Sequence, residues 1–205
     1  MTQPSQPLLN TVAINDLRPT QMTVGLREVA LRRAEWRAHA GADGAKFLGH
    51  HMIPVILGPK HRPHLIDNHH LARALQEEGV ENILVQVVAD LSGLTPGAFR
   101  SVMASRNWVH TYDAKGRRQG IGRLPAHLGE MADDPFRSLA GELRRAGGYA
   151  KDPTPYAEFL WADYLRRRMD AVKLERNFDK ALVKAIELAR AHDAQYLPGW
   201  CGPAN

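Results

Sequence analysis

His64-Leu65-Ile66-Asp67-Asn68-His69-His70-Leu71-Ala72-Arg73-Ala74-Leu75 carries a short apolar strand into a polar elbow and on into a helix. A strand-to-helix junction leaves the first amides of the helix without intrahelical partners. Those donors, at the positive end of the helix dipole, suit an anion. Asn68 either takes a left-handed conformation or caps the helix through its short amide. His69 and His70 fall in the first turn, where paired imidazoles can donate hydrogen bonds, shuttle protons or ligate a metal. The plainer reading is a well-capped helix whose histidines are merely polar.

Around this elbow the chain reads as a small α/β unit. Thr11 to Leu17 alternates apolar and polar residues as a strand does. Arg18-Pro19-Thr20-Gln21 reads as a turn, and Val24 to His39 as a helix. Gly41 to Gly49 reads as a glycine-punctuated loop, and Met52 to Leu57 as a buried strand. His64 to Asp67 is the next strand, and the elbow helix runs to about Glu78 with Gly79 as its stop. Asn82 to Ala89 is the most β-prone segment. After Asp90 the character turns helical, with helices over Thr95–Asn107, Pro135–Arg145, Tyr156–Leu174 and Asn177–His192 and a basic loop from Asp113 to Gly122. Phe159, Leu160, Tyr164, Leu165 and Met169 form an apolar stripe of the kind that packs a core, and Trp161 reads as core as well.

Composition narrows the classes of function. The chain has 205 residues with a net charge of +5, which favours an anionic partner such as a nucleotide or nucleic acid. Basic clusters occur at Arg32-Arg33, Lys115 to Arg118, Arg144-Arg145 and Arg166 to Arg168. The single cysteine, Cys201, excludes an internal disulfide and a cysteine zinc cage. No apolar run is long enough to span a bilayer, and the first ten residues lack the apolar core of a secretion signal. The expectation is a cytoplasmic protein that does not engage membranes.

With these elements in order, Leu17 to Gln21, Pro54 to Leu57 and Ile66 to His70 together resemble the ParB/sulfiredoxin-like superfamily. The chain is most similar to its ParB-like nuclease branch. Later phrases carry the resemblance further: Asp134 to Leu139, Gly147 to Lys151, and Glu158 to Asp163. It extends from Val12 to Arg168. The resemblance implies an α+β fold, a small mixed sheet with helices followed by a helical C-terminal half packed on it. It also implies a phosphate or nucleotide pocket at the elbow. Members include partitioning proteins that bind and hydrolyse a nucleoside triphosphate, sulfiredoxins, and a kinase of free serine.

The departures narrow the chemistry. Asparagine stands at Asn68, where many relatives have glycine. Leu71 stands where many have arginine, leaving Arg73 and Arg62 as the nearest guanidinium groups. The sulfiredoxin cysteine would fall at about His69, which removes sulfinic-acid chemistry. The serine-kinase glutamate corresponds to Gln21, so a kinase would need Glu28 in the pocket instead.

The resulting expectation is a flexible tail over 1–10, an α/β core over 11–92, a helical extension over 93–195 and a tail over 196–205. His69, His70 and Asp67 are the catalytic candidates. One imidazole would act as general acid or base, while Asp67 binds Mg²⁺ or orients an imidazole. Asn68, Thr20, Gln21, Arg73 and Lys46 are the phosphate-binding candidates. Lys60 is a further loop cation, and Arg137 is placed to bridge the helical half to the pocket. His50, His51, His61, His64, His69 and His70 match no common zinc spacing. The expected function is phosphate binding with nuclease or nucleotide-hydrolase activity, with Mg²⁺ and a nucleoside triphosphate as the fitting cofactor and ligand. Its rivals are a non-catalytic DNA- or nucleotide-binding module of the partitioning type and a kinase of a small metabolite such as a free amino acid.

Overall fold

The computed structural model describes residues 9–41 and 43–203. β1 (Leu9–Ala13), β2 (Arg18–Pro19), β4 (Ile53–Gly58), β5 (Arg62–Leu65) and β6 (Asn82–Asp90) form a mixed five-stranded sheet in the order β1-β6-β4-β5-β2. β6 runs antiparallel to β1 and parallel to β4, which pairs antiparallel with β5. β5 in turn runs parallel to β2. β3 (Thr23–Val24) and β7 (Ala132–Asp133) make a separate parallel pair. Eight α-helices complete the described residues: α1 (Leu26–His39), α2 (Gly44–His50), α3 (His69–Glu77), α4 (Pro96–Ser105), α5 (Pro135–Arg145), α6 (Ala157–Arg166), α7 (Ala171–Arg176) and α8 (Phe178–Arg190). The fold is the expected α+β type.

Two apolar cores follow from the patterning. Val55, Leu65, Leu71, Leu75, Ile83 and Val85 pack α1 and α3 on the sheet. Phe136, Leu139, Leu143, Trp161, Leu165 and Ala185 join α5, α6 and α8. Tyr164 and Leu165 of the apolar stripe are buried and Trp161 is fully so, whereas Leu160, also expected in that stripe, is 45% exposed. α1 also packs against α5 and joins the halves. A smaller cluster of Ile56, Phe99 and Met103, with Ile66 and Val109 against it, seats α4.

The structure differs from the sequence reading at several points. Arg18 and Pro19 extend the sheet as β2 instead of turning the chain, because an edge strand tolerates a residue without an N–H. The first strand stops at Ala13, and Ile14 to Asp16 coil as a 3-10 turn that buries Ile14. β5 ends at Leu65, although the Ile66 N–H still donates to the Pro54 carbonyl of β4 at 3.0 Å, and Asp67 lies beyond the strand. The glycine-punctuated loop contains α2, held by Phe47, whose ring lies 5.5 Å from Trp36 and 4.2 Å from His51. The Tyr156–Leu174 helix is broken into α6 and α7, because Asp170 accepts the Lys173 N–H at 3.0 Å and starts a new helix.

At the ends of the chain, residues 1–8 of the expected first tail lie outside the described residues, while Leu9 and Asn10 belong to β1. Within 196–203, Leu197 is buried in the helical core and the Pro198 carbonyl accepts the Trp161 indole N–H at 2.8 Å. No helix among the described residues is long and apolar enough to cross a membrane.

The approach of α1 to α5 depends on the missing side chain of Gly25. A Cβ there would sit 2.6 Å from Ser138 Oγ and 2.7 Å from its backbone nitrogen. Gly25→Ala is therefore expected to destabilise the fold by about 1–3 kcal/mol in denaturant titration. Gly97→Ala, on α4 with nothing described within 4 Å of its new methyl, should be neutral or slightly stabilising.

Candidate functional site

The elbow is built by one left-handed residue. Asn68 has φ 62° and ψ 29°, and its side chain makes no cap bond. Of the two conformations open to it, it takes the left-handed one. Its carbonyl accepts the Ala72 N–H at 2.9 Å as the first helical bond of α3. The amides of His69, His70 and Leu71 precede that bond, so the helix supplies them no acceptor. Asp67, exposed beside them, accepts the Asn68 N–H at 2.7 Å on Oδ1.

Both imidazoles turn toward the segment joining β2 to α1. The Thr20 N–H donates to His69 Nε2 at 3.2 Å, and the Thr20 hydroxyl donates to the Leu65 carbonyl at 2.8 Å. The Gly25 N–H donates to His70 Nε2 at 3.0 Å. A nitrogen that accepts from an amide carries no proton, so the network assigns both rings as neutral with the proton on Nδ1. Electrostatics agrees with this assignment. Burial first, and then the Arg137 charge, pull His69 down to about 3 and hold His70 well below the ordinary value. His69 Nδ1 is buried without a partner among the described residues. The two histidines are thus pins that fasten α3 to the Thr20–Gly25 segment, with Nε2 facing backbone instead of open solvent.

Beside the elbow lies a pocket of about 350 Å³, walled by Gln21, Asp67, Arg137, Tyr149, Lys151 and Glu158 among others. Arg137 comes from α5, whose start is fixed by Asp134. That carboxylate accepts the Phe136 N–H at 3.0 Å and pairs with Arg166 at 2.5 Å. The Arg137 guanidinium is buried, with its carbon 3.4 Å from the centre of the Phe159 ring. Its nearest carboxylate oxygen, on Glu158, is 3.8 Å from Nη2, while Arg144 holds Glu158 at 2.8 Å. Arg137 Nε and Nη1 have no acceptor among the described residues. Burial lowers its affinity for the proton, against the pull of Glu158 and Asp134.

His110, which the sequence reading missed, sits on the same cluster. Its N–H donates to the Thr20 carbonyl at 2.8 Å, its ring lies 3.7 Å from that of Phe159, and its Nδ1 is unpartnered among the described residues. Burial, then Arg137 and Arg166, take it down to about 3. No motif surrounds it, so only the tertiary fold could have found it.

The sequence-named residues therefore separate. Asp67 and Gln21 line the pocket with Arg137, while Asn68, Thr20, His69 and His70 form the scaffold behind it. Arg73 points elsewhere, to Glu77 at 2.7 Å and to the Leu128 carbonyl at 2.6 Å. The i,i+4 spacing of Arg73 and Glu77 makes that pairing natural. Lys46 is exposed on α2 and is not among the pocket-lining residues, and Lys60 belongs to a different hollow. Glu28, the carboxylate a kinase would need, is ion-paired with Arg145 and lies outside the pocket lining. Among the described residues no group of three or more histidine, cysteine or acidic side chains is placed to hold a metal ion.

Comparison with known proteins gives the family of the chain. A family model described as "Putative ParB-like nuclease" matches residues 10–167, a span that includes the elbow, Arg137 and the Gly147–Lys151 and Glu158–Asp163 phrases. No curated protein matches the chain. Among solved structures, the crystal structure of protein Atu1540 from Agrobacterium tumefaciens is similar, with a TM-score of 0.91 and 50% identity. The match covers 98% of this chain and 100% of that one. With a family match over most of its length, the chain belongs to the ParB-like nuclease family.

Proposed function

We propose that the elbow pocket binds a phosphate ester of a nucleotide or nucleic acid and hydrolyses it. The observation that carries this reading is Arg137. Its guanidinium is buried on the wall of an open pocket, its nearest carboxylate stands 3.8 Å away, and two of its nitrogens have no acceptor among the described residues, so its charge is only partly met. A phosphoryl group supplies the missing negative charge and can offer oxygens to the planar guanidinium fork. Lys151 and Arg144 add positive charge at the same wall, and the Gln21 amide can orient a phosphoryl oxygen or a water.

In this scheme Asp67 is the base. It lines the pocket and forms no ion pair among the described residues, whereas Glu158 is held by Arg144. It takes a proton from a water as the water oxygen bonds to phosphorus. The leaving oxygen departs toward the solvent-exposed mouth and is protonated there. Arg137 and Lys151 meet the charge that grows on the phosphoryl oxygens. His69 and His70 position the elbow and leave the proton transfer to Asp67, because their Nε2 atoms are committed to backbone amides. Mg²⁺ fits here as an ion carried on substrate phosphates and met by Asp67, since Mg²⁺ is commonly held by one or two carboxylates plus phosphates.

The direct test is thermal stabilisation by nucleotides with Mg²⁺, followed by assay of nucleotide and single-stranded DNA hydrolysis. A ligand at a hundred times its Kd should add about 2.7 kcal/mol. Arg137→Met is expected to abolish that stabilisation while keeping the unliganded fold, because an apolar side chain of similar length replaces a buried charge whose nearest carboxylate is 3.8 Å away. Asp67→Asn should retain binding and lower turnover about 10²–10⁴-fold. Stabilisation that persists in Arg137→Met would defeat the reading. Binding without turnover in the parent would leave a nucleotide-binding module.

A pH series tests the neutral imidazoles. His69 and His110 titrate near 3 in the folded chain, against about 6.5 when unfolded. Below about 6.5 the unfolded chain gains protons that the folded one refuses. Stability is thus intact above that pH and falls as pH drops toward 3, by up to about 1.4 kcal/mol per unit per histidine. Buried Asp134, raised above its ordinary value, contributes with opposite sign only in the carboxylate range. Melting temperature should therefore fall between pH 6.5 and 5, and His69→Gln should flatten that fall.

A further inference from the structure

A second hollow lies along the same pair of strands. It measures about 510 Å³, and its wall carries Arg18, Lys60, Arg62 and Arg100 over an apolar floor that includes Phe99 and Met103. No carboxylate occurs among its described lining residues, and none of the four cations forms an ion pair there. The elbow pocket differs, because Asp67, Asp152 and Glu158 share its wall with Arg137, Arg144 and Lys151. One hollow is close to balanced in charge, while the other is uniformly positive and half apolar.

Strand register relates the two. β2 and β5 run parallel with Arg18 opposite His64, and both of these residues line the basic hollow. Gln21, three positions after Arg18, and Ile66 and Asp67, just after β5, line the elbow pocket. The offset is roughly 10 Å at the rise of an extended chain. Ile66 lines the elbow pocket and also packs on the Phe99–Met103 cluster that floors the basic hollow, so the two openings share one wall. Asn107 belongs to the first lining and Val109 to the second, on one short segment after α4.

We infer that the basic hollow is a subsite for the nucleotides flanking the phosphate held at the elbow, so that the ligand is a single-stranded polynucleotide. This rests on the phosphate reading of the elbow pocket and extends it. A free nucleotide places all its charge at one point and leaves the second group of cations unused. A strand repeats phosphate and base. Its backbone charge suits Arg62, Lys60 and Arg100, and its bases offer flat apolar faces to a floor that includes Phe99, Pro19 and Pro125.

The experiment is fluorescence anisotropy with a labelled single-stranded oligonucleotide of about ten nucleotides, read across a salt series, beside thermal shift with a mononucleotide. Arg62→Gln/Arg100→Gln should weaken oligonucleotide binding about tenfold or more. It should also reduce the slope of log affinity against log salt by roughly 1.4, about 0.7 for each lost phosphate contact on a single strand. The mononucleotide shift should survive in that variant and vanish in Arg137→Met. Arg176→Gln/Lys180→Gln, which removes two cations from α7 and α8, should leave oligonucleotide binding unchanged. If the Arg62/Arg100 variant binds the oligonucleotide like the parent, or the parent binds it no better than the mononucleotide, the subsite is refuted and the elbow reading stands. If the parent shows no mononucleotide shift yet its oligonucleotide binding still depends on Arg62 and Arg100, the elbow reading fails and the basic subsite stands.

Discussion

Two backbone-to-imidazole hydrogen bonds hold the working end of this fold in place. The Thr20 amide meets His69 and the Gly25 amide meets His70, so consecutive residues of one helical turn grip both ends of a single connecting segment. That segment carries Gln21 into the pocket and delivers the chain to α1. Its far end is fastened again from the helical half: the Leu26 N–H donates to Asp133 at 2.8 Å and the Arg27 N–H to Ser138 Oγ at 3.3 Å. Gly25 lies at the crossing of these ties, pressed against Ser138. The elbow, the first connection and the start of α5 are therefore one cooperative unit, and displacing any of the three disturbs the others.

That unit requires neutral rings. An imidazolium has two donors and cannot accept from the Thr20 or Gly25 amide, so protonation would replace an attraction with two donors facing each other. Burial enforces the neutral state, and the Arg137 guanidinium adds a like-charge penalty to it. The same residue both shapes the pocket and protects its scaffold. The arrangement is costly on its own terms, since Arg137, His69 and His110 all keep unpartnered nitrogens in one buried neighbourhood.

Much of the fold is legible in the sequence, because its strongest signals are local. Asp134 followed by Pro135 marks the start of α5 at the residue where it occurs, and Asn68 before two histidines marks the left-handed elbow. Signals that depend on distant partners are not legible in this way. The glycines around α2 read as a loop until Trp36 is seen lying against Phe47. The apolar stripe through Leu165 and Met169 runs at helical spacing right up to the break at Asp170, so only a capping side chain betrays it. At the site, the histidine pair is visible but its direction is not. A sequence shows an imidazole, while the fold decides whether its nitrogen meets a cleft or an amide. Arg137 and Glu158 lie within the phrases that carry the family resemblance, yet their meeting with Asp67 is a tertiary event that no spacing reveals.

The distribution of acidic side chains distinguishes the two hollows along the β2–β5 strand pair. Carboxylates stand among the cations of the elbow pocket, as the proposed hydrolysis would require of a site that needs both a base and a local balance of charge. They are missing from the described lining of the neighbouring hollow, where any carboxylate would oppose an anionic backbone. Had the chain evolved only to hold a small phosphate, one buried arginine would be enough, and the unpaired charges at Lys60, Arg62 and Arg100 would be a liability to the folded state through mutual repulsion. Their retention next to an apolar floor is understandable if a longer anion covers them, and Ile66 sets the two hollows side by side.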